Sequence, residues 1–504
     1  MQKIKNIILS SLLTIGTLNL MAQTAVLDYE LLKSRNPWLT ADNASALTTY
    51  GDTNVVKGTA YIEHTKGETG LYSNSSQANT LGAGAESFFR LSKKVVGYGS
   101  ISYLNRTEND VTGTAFLITD DVRPFDILLN TAGSTSLERI NIHGGLGWKA
   151  WKGLSLGAAV DYTTASYAKR KDLRYVSSYM NLAANVGASY DFGCYSLGAA
   201  FLYRRNTEDL SFKTYGTTDV VYTSLIDYAN GMGISETFNG DGFTNTDEQP
   251  LFSDYKGVSA QFYVQPCKRL SFFVEGTYLR RKGYYGKESQ FSLLFSEHQS
   301  NIYGINGRLS YNTKKTLHWL SLRMNVENLT AWQTIYTENT VDGVRSYHYY
   351  DPLKIANKVR SYGDISYSLY ITPLATSSCD AHTTLYAWVI KAGTMFDKRK
   401  QTAYLFPDQT TVNHTRWTPY LDVTRNFLLR DTSLITAQLG FEGASGRNAN
   451  DPVMCIFPDN RFGVKVKVGY DFPLKKVKGL RPNISVSYFS RHNSILGTIG
   501  VMYF

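Results

Sequence analysis

Phe462-Gly463-Val464-Lys465-Val466-Lys467-Val468-Gly469-Tyr470-Asp471-Phe472 alternates without interruption. Phe462, Val464, Val466, Val468, Tyr470 and Phe472 share one parity; Gly463, Lys465, Lys467, Gly469 and Asp471 share the other. Successive side chains of a strand point to opposite faces, so this segment reads as a strand with one apolar face and one polar, charged face. The same division recurs in Leu154–Thr163, Met180–Tyr190, Leu320–Glu327 and Ile435–Glu442. Each is about as long as the ~9–11 residues that a tilted strand needs to cross a bilayer.

Composition agrees with that reading and removes its competitors. The chain has 504 residues, 43% of them hydrophobic and 19% charged, with 36 Tyr, 24 Phe, 41 Gly and a formal net charge of +10. A mean hydropathy of -0.25 is too polar for a bundle of membrane helices. After the first few residues no run approaches the ~18 apolar residues of a spanning helix. An aromatic content of 13%, interleaved with polar residues throughout, excludes disorder.

The first residues set the compartment. Lys3 and Lys5 precede a mostly apolar stretch from Ile7 to Leu20, and Met21-Ala22 gives a small-residue ending. Residues 1–22 are therefore expected to be a secretory signal peptide cleaved after Ala22, with no Cys following to carry a lipid. Removing two lysines leaves a mature charge of about +8. Export permits disulfides, but Cys194, Cys267, Cys379 and Cys455 are far apart and lack metal-ligand spacing. Two bridges would have three connectivities, and unpaired thiols in turns are the plainer alternative. Basic residues are spread along the chain among acids, which excludes a nucleic-acid partner of the patch-binding kind.

A soluble sandwich also alternates, so two further features decide between the classes. Tyr162, Tyr190, Tyr195, Tyr203, Tyr278, Tyr470, Phe472 and Trp148 sit near strand ends, as amphipathic rings do at the two water–lipid boundaries. Connections also alternate in length. Tight links fall near Lys93-Lys94, Lys152-Gly153, Asp191 to Gly193, Pro266 to Lys268, Thr313 to Lys315, Leu428 to Asp431 and Leu474 to Lys478. Long polar stretches are expected at Thr107 to Ser134, Asn206 to Tyr255, Thr334 to Asn357 and Ala444 to Asn460. Short periplasmic turns and long outer loops are the asymmetry of outer-membrane barrels.

On these strands, the signal peptide and a last strand ending at Phe504, the mature chain resembles the Gram-negative outer-membrane β-barrels. The resemblance implies an all-β, antiparallel, up-and-down transmembrane barrel over residues 54–504, with about 18 strands (roughly 14 to 18). It also places the chain in the bacterial outer membrane, in contact with its lipid. Residues 23–53 lack the alternation and are expected to form a short helix or turn, broken at Asn36-Pro37-Trp38, that lies in the lumen or against its periplasmic mouth. Asn36-Pro37 followed by Asp42-Asn43-Ala44-Ser45-Ala46-Leu47 is similar to the amino-terminal segment of the fatty-acid-transporter barrels, which implies a lumenal position.

Parity nominates Asp161, Arg204, Glu275, Arg308, Arg323, Glu327, Lys465, Lys467 and Asp471 as lumen-facing. Both signs occur, so no strong ion selectivity is expected, although Lys465 and Lys467 form a local basic stripe. The bland alternative for each is a solvated or mutually paired wall residue. No catalytic residue is assigned: none of the eight His lies in a nucleophile-elbow or two-His metal pattern. In the longest expected loop, Asn239, Asp241, Asn245 and Glu248 follow the oxygen-ligand spacing of a calcium loop, with Gly242 at the sharp turn. Thr237 stands where the first carboxylate ligand belongs, and a plain polar turn explains the same residues. Calcium is thus the one cofactor this spacing suggests. Two functions remain: a pore or diffusion-type transporter for a small solute, or a sealed anchor docking other envelope proteins such as surface lipoproteins, a transporter or secretion machinery.

Overall fold

The structure, a computed structural model, describes residues 28–51, 54–66, 75–117, 122–215, 220–238, 250–289, 292–376, 383–449, 461–474, 477 and 479–503. The expected signal peptide and the calcium-loop residues Asn239, Asp241, Asn245 and Glu248 lie outside them, as do Cys379 and Cys455. Cys194 and Cys267 are exposed free thiols.

The strands are β1 (Val55–Lys66), β2 (Gln77–Arg90), β3 (Val95–Thr114), β4 (Asp126–Lys149), β5 (Leu154–Lys169), β6 (Arg174–Asp191), β7 (Tyr195–Lys213), β8 (Tyr222–Ala229), β9 (Met232–Phe238) and β10 (Pro250–Cys267). They continue as β11 (Leu270–Ser289), β12 (Ser292–Asn312), β13 (Thr316–Val341), β14 (Val344–Thr376), β15 (Thr383–Leu405), β16 (Asp408–Leu428), β17 (Leu434–Ala449), β18 (Arg461–Asp471), β19 (Leu480–Phe489) and β20 (Ser494–Tyr503). Each pairs antiparallel with its successor, except that β7 pairs with β10 and the β8–β9 hairpin instead joins β4 through Asp126↔Asp227 to Leu129↔Ser224. β20 pairs with β1 from Val56↔Tyr503 to Thr65↔Ser494, which closes the ring. Among the described residues, eighteen strands form the barrel wall and two form the appended hairpin.

Closure follows from the solvent. Hydrocarbon offers no hydrogen-bond partner, so a spanning sheet with an open edge would strand a row of N–H and C=O groups. The outer wall has the chemistry that lipid requires: Val186 is 62% exposed, Val468 55% and Ile499 65%, all on the outward parity. Trp148, Tyr190, Phe192, Tyr195 and Tyr470 ring the short-turn end, and Phe192 stacks on Tyr195 at 4.6 Å. The protein is an integral outer-membrane β-barrel.

The long stretches depart from expectation. Strands run well into each of them, and Thr334 to Asn357 is not a loop at all. There β13 and β14 continue as a ribbon from Ile335↔Tyr350 to Val341↔Val344, turned by Asp342-Gly343. Both turn residues have positive φ, 51° and 77°, the conformation for which Asp-Gly is favoured in two-residue hairpins. Outside the bilayer neither face needs to be apolar, so the strand continues without the alternation that marks its membrane part.

Val466 lies midway between the rings of Phe462 and Tyr470 on the lipid face of β18. A charge there loses its hydration, so Val466→Arg is expected to destabilise the barrel by about 2–4 kcal/mol. Lys467→Ala, on the lumen face, should change little. Denaturant unfolding in lipid vesicles measures both.

Candidate functional site

The lumen is occupied at its short-turn end by the chain's own amino-terminal segment. α1 (Tyr29–Arg35) starts on Asp28, whose carboxylate accepts from the backbone N–H groups of Glu30 and Leu31 at 3.0 and 3.1 Å. Asn36-Pro37 ends it. Two short 3-10 helices follow, Pro37–Thr40 and Ala44–Thr49, capped by Asn36 and Asn43. Asn36 Nδ2 also donates to Thr49 Oγ1 at 2.7 Å, tying the segment into one compact knot.

The wall beneath this knot lacks side chains. In register across neighbouring strands lie Gly147, Gly157, Gly187, Ala200 and Ser259, all on the inward parity. A Cβ on Gly157 would come within 2.3 Å of the Ala44 carbonyl carbon and the Ser45 nitrogen; one on Gly187 would meet Asn43 Oδ1 at 2.2 Å. The glycines therefore let the segment's backbone rest directly on the sheet.

Polar contacts surround that seat. Asn43 Nδ2 donates to Gln261 Oε1 at 2.9 Å, and the Ala44 N–H to Asn185 Oδ1 at 3.0 Å. Ser45 Oγ donates to Ser189 Oγ and Thr48 Oγ1 to Ser155 Oγ, each at 2.9 Å. The Asp42 N–H donates to Glu275 Oε1 at 2.9 Å, and Arg308 donates to the Ser34 carbonyl. Lys33 Nζ lies 2.9 Å from Glu86 Oε2. Burial opposes its charge, but Glu86 and Tyr98 together hold the ammonium pKa above its ordinary value. Rings complete the fit: Trp38 meets Phe273 edge-on at 5.6 Å and Tyr50 stacks on Phe88 at 4.6 Å.

The opposite end is filled on one side only. Ala115, Phe116, Leu117, Val122 and Phe125 fold inward from the β3–β4 connection and pack with Tyr285, Leu329, Ile355 and the β8–β9 hairpin. Phe125 meets Tyr285 edge-on at 5.0 Å. Arg281 fixes this core to the wall, donating to the Val122 carbonyl at 2.6 Å and to Glu327 at 3.2 Å. Along β14 to β20 and β1 the lumen instead keeps a cavity of about 560 Å³, lined by Lys391, Tyr420, Asp422, Glu442, Lys465 and others.

The nine residues nominated by parity divide between these environments. Glu275 and Arg308 hold the amino-terminal segment; Glu327 holds the inward-folded connection. Lys465 lines the cavity, and Lys467 stands in the next transverse row, opposite Gln438 and Ser487. Asp161 accepts from Asn141 Nδ2 at 3.1 Å and lies 3.4 Å from His143. Arg204 donates to Asn181 and covers the Tyr255 ring, while Arg481 donates to Asp471. Arg323 sits between Asn306 and Asp364 in register. Gly157, Gly187, Asn43 and Arg281 escaped the parity argument, which weighs side-chain polarity. Inward-facing glycines repeated on successive strands were the available signal.

A family model matches residues 44–499, described as a family of unknown function, DUF6850. The chain belongs to that family. It spans the barrel and begins within the lumenal segment, at the residue seated on Gly157. Comparison with curated proteins gives no match. Among solved structures the chain is similar to the outer membrane transporter YddB from Escherichia coli, at 10% identity and TM-score 0.43 over 86% of this chain and 68% of that one. It is also similar to the ferric preacinetobactin receptor BauA from Acinetobacter baumannii, at 8% and 0.41 over 90% and 80%. The toluene transporter TbuX from Ralstonia pickettii follows at 8% and 0.32 over 92% of each chain. Likeness at that level carries nothing about cargo or partners.

Gly157→Leu places a side chain where the Ala44–Ser45 backbone rests. It is expected to unseat the segment while leaving the barrel closed, because the lipid face and ladder are untouched. Limited proteolysis should then cleave within residues 28–50, which wild type protects, while heat-dependent gel migration of the barrel stays unchanged.

Proposed function

We propose that this barrel is a gated pore for a small polar solute, with residues 28–50 as its periplasmic stopper. The carrying observation is the seat itself. The segment is held by hydrogen bonds, two ion pairs to the wall (Lys33–Glu86 and Glu30–Lys57), small apolar clusters around Tyr29, Leu31 and Trp38, and a glycine floor, and none of these contacts belongs to the ladder of a barrel strand. A typical intramolecular hydrogen bond is worth only about 0.5–1.5 kcal/mol net. A cavity already lies open along β14 to β1, so removing the stopper lengthens an existing wet space. The nine parity residues support this reading as wall groups that shape and stabilise the path.

The sealed-anchor reading draws on a different observation, the apolar core that fills the outer lumen along β4 to β14 together with the projecting β13–β14 ribbon. Tyr336, Tyr347 and Tyr349 cluster on one face of that ribbon, at centroid distances of 5.6 to 6.5 Å. Tyr336 is exposed and the other two half-buried, and an aromatic cluster of this kind suits a protein partner.

Planar-bilayer recording separates the two. The pore reading expects low conductance from the intact barrel and an increase of about tenfold or more after deletion of residues 28–50, since an aqueous lumen of this strand number is wide. Equal, near-zero conductance in both forms, with a stoichiometric envelope protein retained on mild extraction, favours the anchor.

A further inference from the structure

The cavity along β14 to β1 has a feature that lumen solvation does not require. Lys391 on β15 stands directly opposite Asp422 on β16, and Asp422 opposite Gly440 on β17, which is opposite Lys465 on β18. Directly opposed charges of unlike sign ordinarily meet across a sheet. Here they do not. Lys391 Nζ turns to the Tyr420 ring, 5.2 Å from its centroid. The Asp422 carboxylate leans over Gly440, where an added Cβ would meet it at 2.3 Å, and accepts only a long 3.4 Å bond from Gln438. Among the described residues none of Lys391, Asp422 and Lys465 enters an ion pair. Their neighbours differ: Glu442 is bound to Arg491, and Asp364 accepts from Tyr420 Oη at 2.8 Å.

The geometry points to a binding subsite for a zwitterionic solute of amino-acid to short-peptide size, its ammonium on the Asp422 carboxylate over Gly440 and its carboxylate on Lys465 of the next strand. This rests on the pore reading and names the class of solute for the same lumen. The Asp422 carboxylate and the Lys465 side chain border the same glycine, so both charges face one space. A cavity of about 560 Å³ holds such a molecule. A cation alone would meet the flanking lysines and an anion alone the carboxylates of Asp422 and Glu63. A solute carrying both signs satisfies each end and leaves no charge opposed.

Calorimetric titration of the full-length protein in detergent, with triglycine, N-acetyl-triglycine and triglycine amide as probes, tests the assignment. Triglycine is expected to bind, and each capped analogue, lacking one charge, to bind about tenfold more weakly or worse. Asp422→Asn should abolish the preference for the free ammonium alone, and Lys465→Gln the preference for the free carboxylate alone. Wild type showing equal affinity for all three probes, or binding none, overturns the proposal without recourse to a variant. The pore reading fails separately, on absence of conductance after deletion of residues 28–50.

Discussion

Every backbone amide and carbonyl that enters hydrocarbon must find its partner inside the protein, and the closure of β20 onto β1 meets that demand. Once the ring is closed, parity is no longer free. Each strand sends alternate side chains to lipid and to lumen, and the lipid half must be apolar. All remaining design is confined to the inward half of the wall and to whatever occupies the space it encloses.

That inward half is used in three ways. At the periplasmic end it is stripped to glycine, alanine and serine over four or five adjacent strands, so that a knot of two short 3-10 helices and one α-helix fits against bare backbone. At the outer end, on one side, it carries Tyr, Leu and Phe that meet the inward-folded β3–β4 connection in a dry core, anchored by the buried Arg281–Glu327 pair. Removing either partner of such a pair leaves an uncompensated buried charge, so this anchor is costly to break. Along β14 to β1 the wall instead borders an open cavity with Lys391, Asp422, Glu442 and Lys465 among its lining. The lumen is thus filled on one side by residues of the strands and the β3–β4 connection, plugged below by a segment that contributes no barrel strand, and open on the other side.

The membrane part of this arrangement was legible in the residues. The alternation in Phe462–Phe472 and Leu154–Thr163 identified lipid and lumen faces because the bilayer enforces it at every position. Asn36-Pro37 marked the end of α1 for local reasons equally readable in sequence. The ribbon from Thr334 to Asn357 has the sequence of a loop because strands outside the bilayer are released from alternation. The glycine row is only partly legible: glycines recur on the polar parity, but Gly147, Gly157 and Gly187 become neighbours only through strand register, and the contact between Asn43 and Gln261, far apart in sequence, is not legible at all. Parity gave Glu275, Glu327 and Lys465 the same standing, whereas their partners assign them to the stopper, the core and the cavity.

A disulfide trap tests directly whether residues 28–50 occupy the lumen in the membrane. Ser45 Oγ and Ser189 Oγ lie 2.9 Å apart, one on the stopper and one on β6. With the four native cysteines replaced by serine, Ser45→Cys together with Ser189→Cys should form a disulfide in intact outer membranes under mild oxidation, detected as a linked peptide by mass spectrometry. Quantitative alkylation of both cysteines under the same conditions would contradict a seated stopper.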